Sequence, residues 1–553
     1  MRSPDMGWRR AAGWVLLGGV LGMAACSKGA PPLPPPSSHE DGGADGGGDT
    51  DAGIEEGNVL LEMGDWDDLE RLAVCRPTVD PGVACGSPDF FLAPLCNVRS
   101  LGDVAGPALY SVRINWDLLE PVGLVDSLRV VTDGGASTLG TMALPAQELG
   151  PERFYLSARE GLEDGGSSTL SLSGCESYAR GRRLVGCYAR CANGAPVRLG
   201  TFAAERLVRR EGEAESSGMA LLSESPVGRG DAMGLVVSQA HAFVVSGPDL
   251  MRGVPGGLTV LDVHDRAAPV LRARIDAPMG DTWRAVAARG DVLYVASSAE
   301  GVIAFDISTA AQPQRLSSFP TGVGPVDALS VWVRDARLYV TQARPSAQTS
   351  LYDVSQPRAP VRLNGLQSGG ADPRVPEHQP ASVFSFEGRL YVSHGREGLR
   401  IHDEAGASPL DELGHYTYPG ATSHAVRVGR FGSRVIAFEG GQDWAAHLRV
   451  LDVTNPAQVS LVGEYRLRTP VSIGALELRG TTLFVAHHQD GVRVLDVSEP
   501  ERPRERAWFN SFAAEHPGAG HGFVDGLVAV SAPGDGYLYT VDTARGLLIF
   551  REP

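Results

Sequence analysis

From about residue 230 onward, apolar and polar positions alternate in short runs broken by Gly, Asp, Ser and Pro. Period-two alternation rich in Val, Ile, Leu and Tyr predicts β-strands, and the breaks predict tight turns. One stretch sets the pattern for the rest: Gly491 to Pro503, GVRVLDVSEPERP. It returns as GLTVLDVHDRAAP from Gly257, GVIAFDISTAAQP from Gly301, SLYDVSQPRAP from Ser350, GLRIHDEAGASP from Gly398 and LRVLDVTNPAQV from Leu448. Its Asp recurs at Asp262, Asp306, Asp353, Asp403, Asp452 and Asp496, at intervals of 44, 47, 50, 49 and 44 residues. Ahead of each copy lies a strand pair around a Gly or Asp turn, such as VAARGDVLYVAS from Val286 or LELRGTTLFVAHH from Leu476. A further unit from His521 ends in RGLLIF from Arg545 and carries Arg551 where the Asp belongs.

Each unit therefore reads as four strands in roughly 45 residues, the content of one propeller blade. A lone four-stranded sheet cannot bury both faces, so neighbouring blades stack and ring closure protects their edges. The predicted fold class is all-β: a β-propeller of about seven four-stranded blades, preceded by a small disulfide-stapled β-rich domain. The repeated Asp is predicted to be a turn-former, because a carboxylate at a strand end accepts turn N–H groups. Six equal copies have no chemical reason to be catalytic. The elements GLxVLDVSxPxxP and GDxLYVA resemble the LVIVD repeat of bacterial exported and surface proteins. The resemblance covers about residues 230 to 550 and departs from the pattern at Asp403 and Asp452. It implies a β-propeller, an exported location and no established enzymatic role.

The front of the chain is organised differently. Residues 1–26 have the order of a signal peptide: Arg2, Arg9 and Arg10, then an uncharged apolar run from Ala11 to Met23 that is short for a bilayer span. The run ends Met23-Ala24-Ala25-Cys26, which resembles the lipobox of bacterial lipoproteins. That resemblance implies lipidation of Cys26 and anchoring of the mature chain in the outer membrane. Residues 27–58 are rich in Pro, Gly, Ser and acidic side chains, a composition that buries too little to order itself, and read as a tether. Residues 59–205 form the expected cysteine-containing domain, with a short helix expected over Leu60 to Val74 and a hairpin near Cys175, Cys187 and Cys191. Cys75, Cys85, Cys96, Cys175, Cys187 and Cys191 are the disulfide candidates, with 15 pairings open. No CxxC pair is present, so no metal is assigned. Residues 206–225 read as a charged linker and 226–553 as the propeller.

The net charge of -17 excludes phosphate neutralisation, hence a nucleic-acid partner. No nucleotide-binding, zinc-protease or serine-hydrolase motif appears in a fitting context, and no cofactor is expected. Residues that break the repeat are the candidates for a ligand face: His378, His394, His424, Trp444, His487 and His521. The expected function is a non-catalytic, lipid-anchored binding or scaffold platform for an envelope protein or glycan. The alternative is a cell-surface hydrolase or lyase using His and acidic residues at the channel mouth. Two RGD tripeptides, at Arg229 and Arg289, read as turn chemistry rather than adhesion sites.

Overall fold

A computed structural model describes residues 60–65, 72–104, 107–115, 123–132, 134–162, 165–209, 212–250, 252–320, 325–367, 378–405, 410–513, 516 and 522–553. Cys26, the signal peptide, the tether and His521 lie outside them.

The cysteine-bearing domain is one antiparallel sheet of nine strands. Its edges are Met142–Leu144 and Ala146–Gly150, which only Pro145 separates in sequence, so the sheet curls until its edges nearly meet. Val112, Ile114, Leu128, Leu156, Leu172 and Phe202 fill the interior. The disulfides are Cys75–Cys187, Cys85–Cys191 and Cys96–Cys175, which staple the segment ahead of the first strand to the long central hairpin. They close loops of 112, 106 and 79 residues, each restricting the unfolded chain by about 4 kcal/mol. Of the stretch expected to hold a short helix, Leu60 to Val74, residues 60–65 and 72–74 are non-helical and 66–71 lie outside the described residues.

Seven further sheets form the propeller, each antiparallel, and five of them consist of four consecutive strands in chain order, as predicted. Their innermost strands are Asp231–Ser238, Trp283–Arg289, Asp327–Arg334, Ser382–Phe386, Ser423–Phe431, Ala475–Arg479 and Leu527–Ser531, blades 1 to 7 in that order. The blades pack face to face through alternate side chains. Phe243, Val260, Leu293 and Phe305, for example, fill the space between blades 1 and 2.

The repeated motif is architectural. In every copy the Asp Oδ1 accepts the backbone N–H two residues on, at 2.8–3.0 Å: His264, Ser308, Ser355, Ala405, Thr454 and Ser498. The apolar residue after the Asp (Val263, Ile307, Val354, Val453 or Val497) is fully buried. Its N–H bonds back to the hairpin between the first two strands, as Val497 does to Thr481. Blade 4 has Glu404 there; its N–H makes the same bond, to Gly388 in the hairpin, and its carboxylate accepts from Arg337, Tyr339 and Ser385. Asp452 also meets Arg434 Nε at 2.7 Å. Asp452→Ala removes both contacts, and is expected to cost about 1–2 kcal/mol in a urea titration with the fold unchanged.

One boundary is corrected. The stretch 206–225, read as a linker, supplies two propeller strands. Leu221–Ser225 pairs antiparallel with Gly546–Arg551 and is the outermost strand of blade 7. Ser216–Ser217 adds a fifth strand to blade 6. Because Leu221–Ser225 takes the place of the fourth strand beside Gly546–Arg551, blade 7 needs no Asx turn after its third strand, and Arg551 stands where the other copies have Asp. The RGD tripeptides are structural too: Gly290 (φ 55°) sits in the hairpin turn after Trp283–Arg289, and Asp231 opens the first inner strand.

Candidate functional site

The blade topology puts two sets of connections on one end of the ring: those from one blade to the next, and those between second and third strands. His378, His394, His424, Trp444 and His487 all lie on this loop face. These five do not converge on one site. His394 and His487 occupy the same place in blades 4 and 6, opening the turns HGREG and HHQDG. In each, the His N–H bonds to the carbonyl of the closing glycine, Gly398 or Gly491. Both glycines have positive φ (77° and 74°), and a Cβ there would lie 2.1 Å from a carbonyl oxygen of the fourth strand. Ser297 has the same role in blade 2, its Oγ accepting from Ala299 and Glu300. Burial holds His487 down at about 4 and lowers His394 too, so both stay neutral at physiological pH. Trp444 is likewise buried. Of these residues only His424 lines the axial cavity, where it is joined by His488, Gln442 and Asp525. Among the described residues no three His, Cys, Asp or Glu side chains are grouped to hold a metal.

The strongest charged arrangement on the chain was not anticipated. Arg449, three residues before the motif Asp of blade 5, is fully buried. It is held by residues nearly 400 positions away: Nε meets Glu62 Oε2 at 3.0 Å, and Nη2 meets Asp65 Oδ1 at 2.8 Å. Its guanidinium carbon lies 3.4 Å from the centre of the Tyr418 ring, and Glu439 Oε2 is 4.0 Å from Nη1. The 60–65 segment runs along the outer strand of blade 5, with Leu60 N–H on Leu461 O and Tyr416 OH on Glu62. Arg493 repeats the device in blade 6, fully buried and 2.6 Å from Glu213. The sequence signal was an Arg inside an otherwise apolar strand, in LRVLD and VRVLD.

His447 sits in the same cluster, 3.2 Å from both Asp65 and Glu464. Burial works to lower it, but the hydrogen bonds to Asp65 and Glu464 outweigh that and hold it above its usual range. Its contribution is therefore complete below about 6.5, the unfolded value, and is lost as pH rises through the raised folded value. Glu464, held down to about 2 chiefly by His447, contributes above the ordinary Glu range and loses that as pH falls through about 2. The denaturation midpoint is thus expected to fall as pH rises above about 6.5, and His447→Gln is expected to flatten that slope. A slope unchanged in the variant would remove His447 from the account.

Residues 279–321 and 442–466 match the LVIVD repeat family. No curated protein matches the chain in sequence. Among solved structures, the chain is similar to the WD40 β-propeller domain of Doa1, at 10% identity over 61% of this chain and 98% of that one, TM-score 0.45. It is also similar to the Swd1 (Cps50) β-propeller domain of Myceliophteria thermophila, at 12% identity over 61% and 100%, TM-score 0.44. The computationally designed protein Ika8 matches at 12% identity over 60% and 99%, TM-score 0.41. The chain thus carries LVIVD repeats within a β-propeller of seven blades, with the recurring Asx turn at each motif Asp.

Proposed function

We propose that the protein is an exported, lipid-anchored envelope protein whose propeller is a non-catalytic platform for a protein partner. Three disulfides fit an oxidising compartment outside the cytoplasm. Among the described residues no helix is long and apolar enough to cross a membrane. The lipobox at Cys26 supports attachment by lipid, and the outer membrane is the proposed location. The observation that carries the platform reading is on the loop face: Leu250 and Met279 stand 81% and 101% exposed, in adjacent connections of blades 1 and 2. Large apolar side chains on variable loops above a rigid ring are what a protein-binding surface offers. They favour a protein over a glycan. The test is crosslinking in intact cells followed by purification of the chain. The double variant Leu250→Glu, Met279→Glu is expected to lose the partner while its melting temperature is kept. Unchanged recovery would overturn the reading.

A second reading is a cell-surface hydrolase or lyase, favoured by His424 lying with His488 and Asp525 at the axial cavity. It requires turnover of a model ester or glycoside that His424→Ala abolishes.

A further inference from the structure

The seven innermost strands are all edge strands, so their free backbone edges surround a single axial space. Its volume is about 690 Å³, within the range of clefts that enclose small organic ligands. Val286, Val331, Leu476 and Val530 contribute apolar wall, and Met233 and Val524 contribute an apolar rim that stays 39% and 42% exposed. Thr141, at the turn between Ser137–Leu139 and Met142–Leu144 of the cysteine-bearing domain, reaches the same space. Both domains therefore line it. Three of its charges are held in ion pairs, Arg284 with Asp327, Arg427 with Glu477 and Asp249 with Arg252, and Asp525 accepts the Gly522 N–H.

Among the described residues that line it, Trp332 Nε1, Ser382 Oγ and His488 Nδ1 lack a hydrogen-bond partner, and of these residues His488 is the most buried. His488 is 1% exposed and lines the cavity between blades 6 and 7. Gln442 Nε2 lies 3.2 Å from its Nε2 and donates to it, which leaves the ring proton on Nδ1. Nδ1 has no hydrogen-bond partner. Native folds rarely leave a buried N–H unsatisfied, because it forfeits its bond to water. The position is also built with care. His488 has φ 31°, in the left-handed region, and its carbonyl accepts from Gly491 and Leu527. Gly474 leaves room for the ring, since a Cβ there would sit 2.8 Å from His488 Cε1. A constrained backbone that fixes an unpaired donor beside a cavity marks a binding position. Burial holds His488 near 3 and His424 near 4, so the donor is a neutral imidazole.

We propose that the axial cavity binds a small uncharged amphipathic molecule, its carbonyl or ether oxygen accepting the Nδ1–H of His488 and its apolar body lying against Val286, Val331 and Leu476. The partnering of Arg284, Arg427, Asp249 and Asp525 argues against an anionic or cationic head group. The cavity opens on the loop face, so this deepens the binding reading there; Leu250 lies at the edge of both, but the cavity depends on His488 and Val286, which the partner surface does not use.

The test is a fluorescence titration of the purified full chain with a neutral naphthyl ketone, a fluorophore whose emission reports both polarity and hydrogen bonding to its carbonyl. Saturable binding at one site is expected, with emission shifted toward that of an apolar medium. His488→Phe is expected to weaken it about tenfold, the size of one hydrogen bond. Val286→Trp, which fills the cavity from a half-buried position, is expected to abolish it. Should His488→Phe fail to fold, the Val286→Trp variant decides alone. No saturable binding, equal affinity in His488→Phe, or undiminished binding in Val286→Trp would each overturn the proposal. Unchanged partner capture in Leu250→Glu, Met279→Glu, with probe binding intact in the wild type, would sink the partner surface only.

Discussion

A chain beginning at residue 226 is expected to lose the cooperative unfolding of the propeller. Such a truncation follows the boundary that the repeats suggest, but it removes the fourth strand of blade 7. Leu221, Ser223, Glu224 and Ser225 pair with Phe550, Ile549, Leu548 and Leu547, and those four partners are fully buried. Losing about 1 kcal/mol for each backbone bond and about 1.5–3 kcal/mol for each newly exposed large side chain exceeds about 5 kcal/mol in all. That is comparable to the whole stability of an ordinary domain, about 5–15 kcal/mol. Exposing Gly546–Arg551 also creates a long apolar edge, so aggregation is expected as well. A chain beginning at residue 212 keeps both added strands and is expected to recover most of the loss. Thermal unfolding followed by circular dichroism compares the two. Equal midpoints would show that ring closure does not depend on Leu221–Ser225.

Arg449→Met is expected to be the most damaging single substitution on the chain. It leaves the buried carboxylates of Glu439 and Asp65 without their cation. Breaking a buried pair in this way costs about 3–5 kcal/mol, even where the intact pair adds little net stability. Burial already raises Glu439, against the attraction of Arg449, so its neutral form is within reach. Adding Glu439→Gln to Arg449→Met is therefore expected to restore part of the loss. The 60–65 segment should also come free of blade 5, and limited proteolysis would then cut near Asp65 in the variant but not in the wild type. A variant as stable as wild type, with this segment still protected, would show that Tyr416 OH and the backbone bond from Leu60 to Leu461 hold it by themselves.

These two sites also mark where sequence reading stopped. The repeat was legible because its period survives variation in every loop. The Asx turn was legible because its chemistry is local, an Asp and an N–H two residues apart. The completion of blade 7 by an earlier strand was not read, although it left a trace: Arg551 stands where the motif requires Asp. Leu221–Ser225 is short and follows the charged stretch 205–218, so its own pattern suggested a linker. Nothing local could reveal that Glu62 and Asp65 neutralise Arg449 across a separation of 387 and 384 residues. The histidines mislead in another way. His394 and His487 stand out in the sequence as paired breaks in the repeat, yet they serve the same turn as Ser297. His488, adjacent to the more conspicuous residue, is the one left with an unpaired donor at the cavity. The disulfide pairing needed the fold itself, since 15 arrangements satisfy the count.

The claim that the loop face is the binding surface can be met directly with a photo-activated crosslinking residue placed at position 279, or at position 499 on the opposite turn face. Met279 lies in a blade-to-blade connection, and Glu499 follows the Asx turn of Asp496. In intact cells, position 279 is expected to give a discrete crosslinked product and position 499 none. The same product from both positions, or a product from 499 alone, would contradict the account.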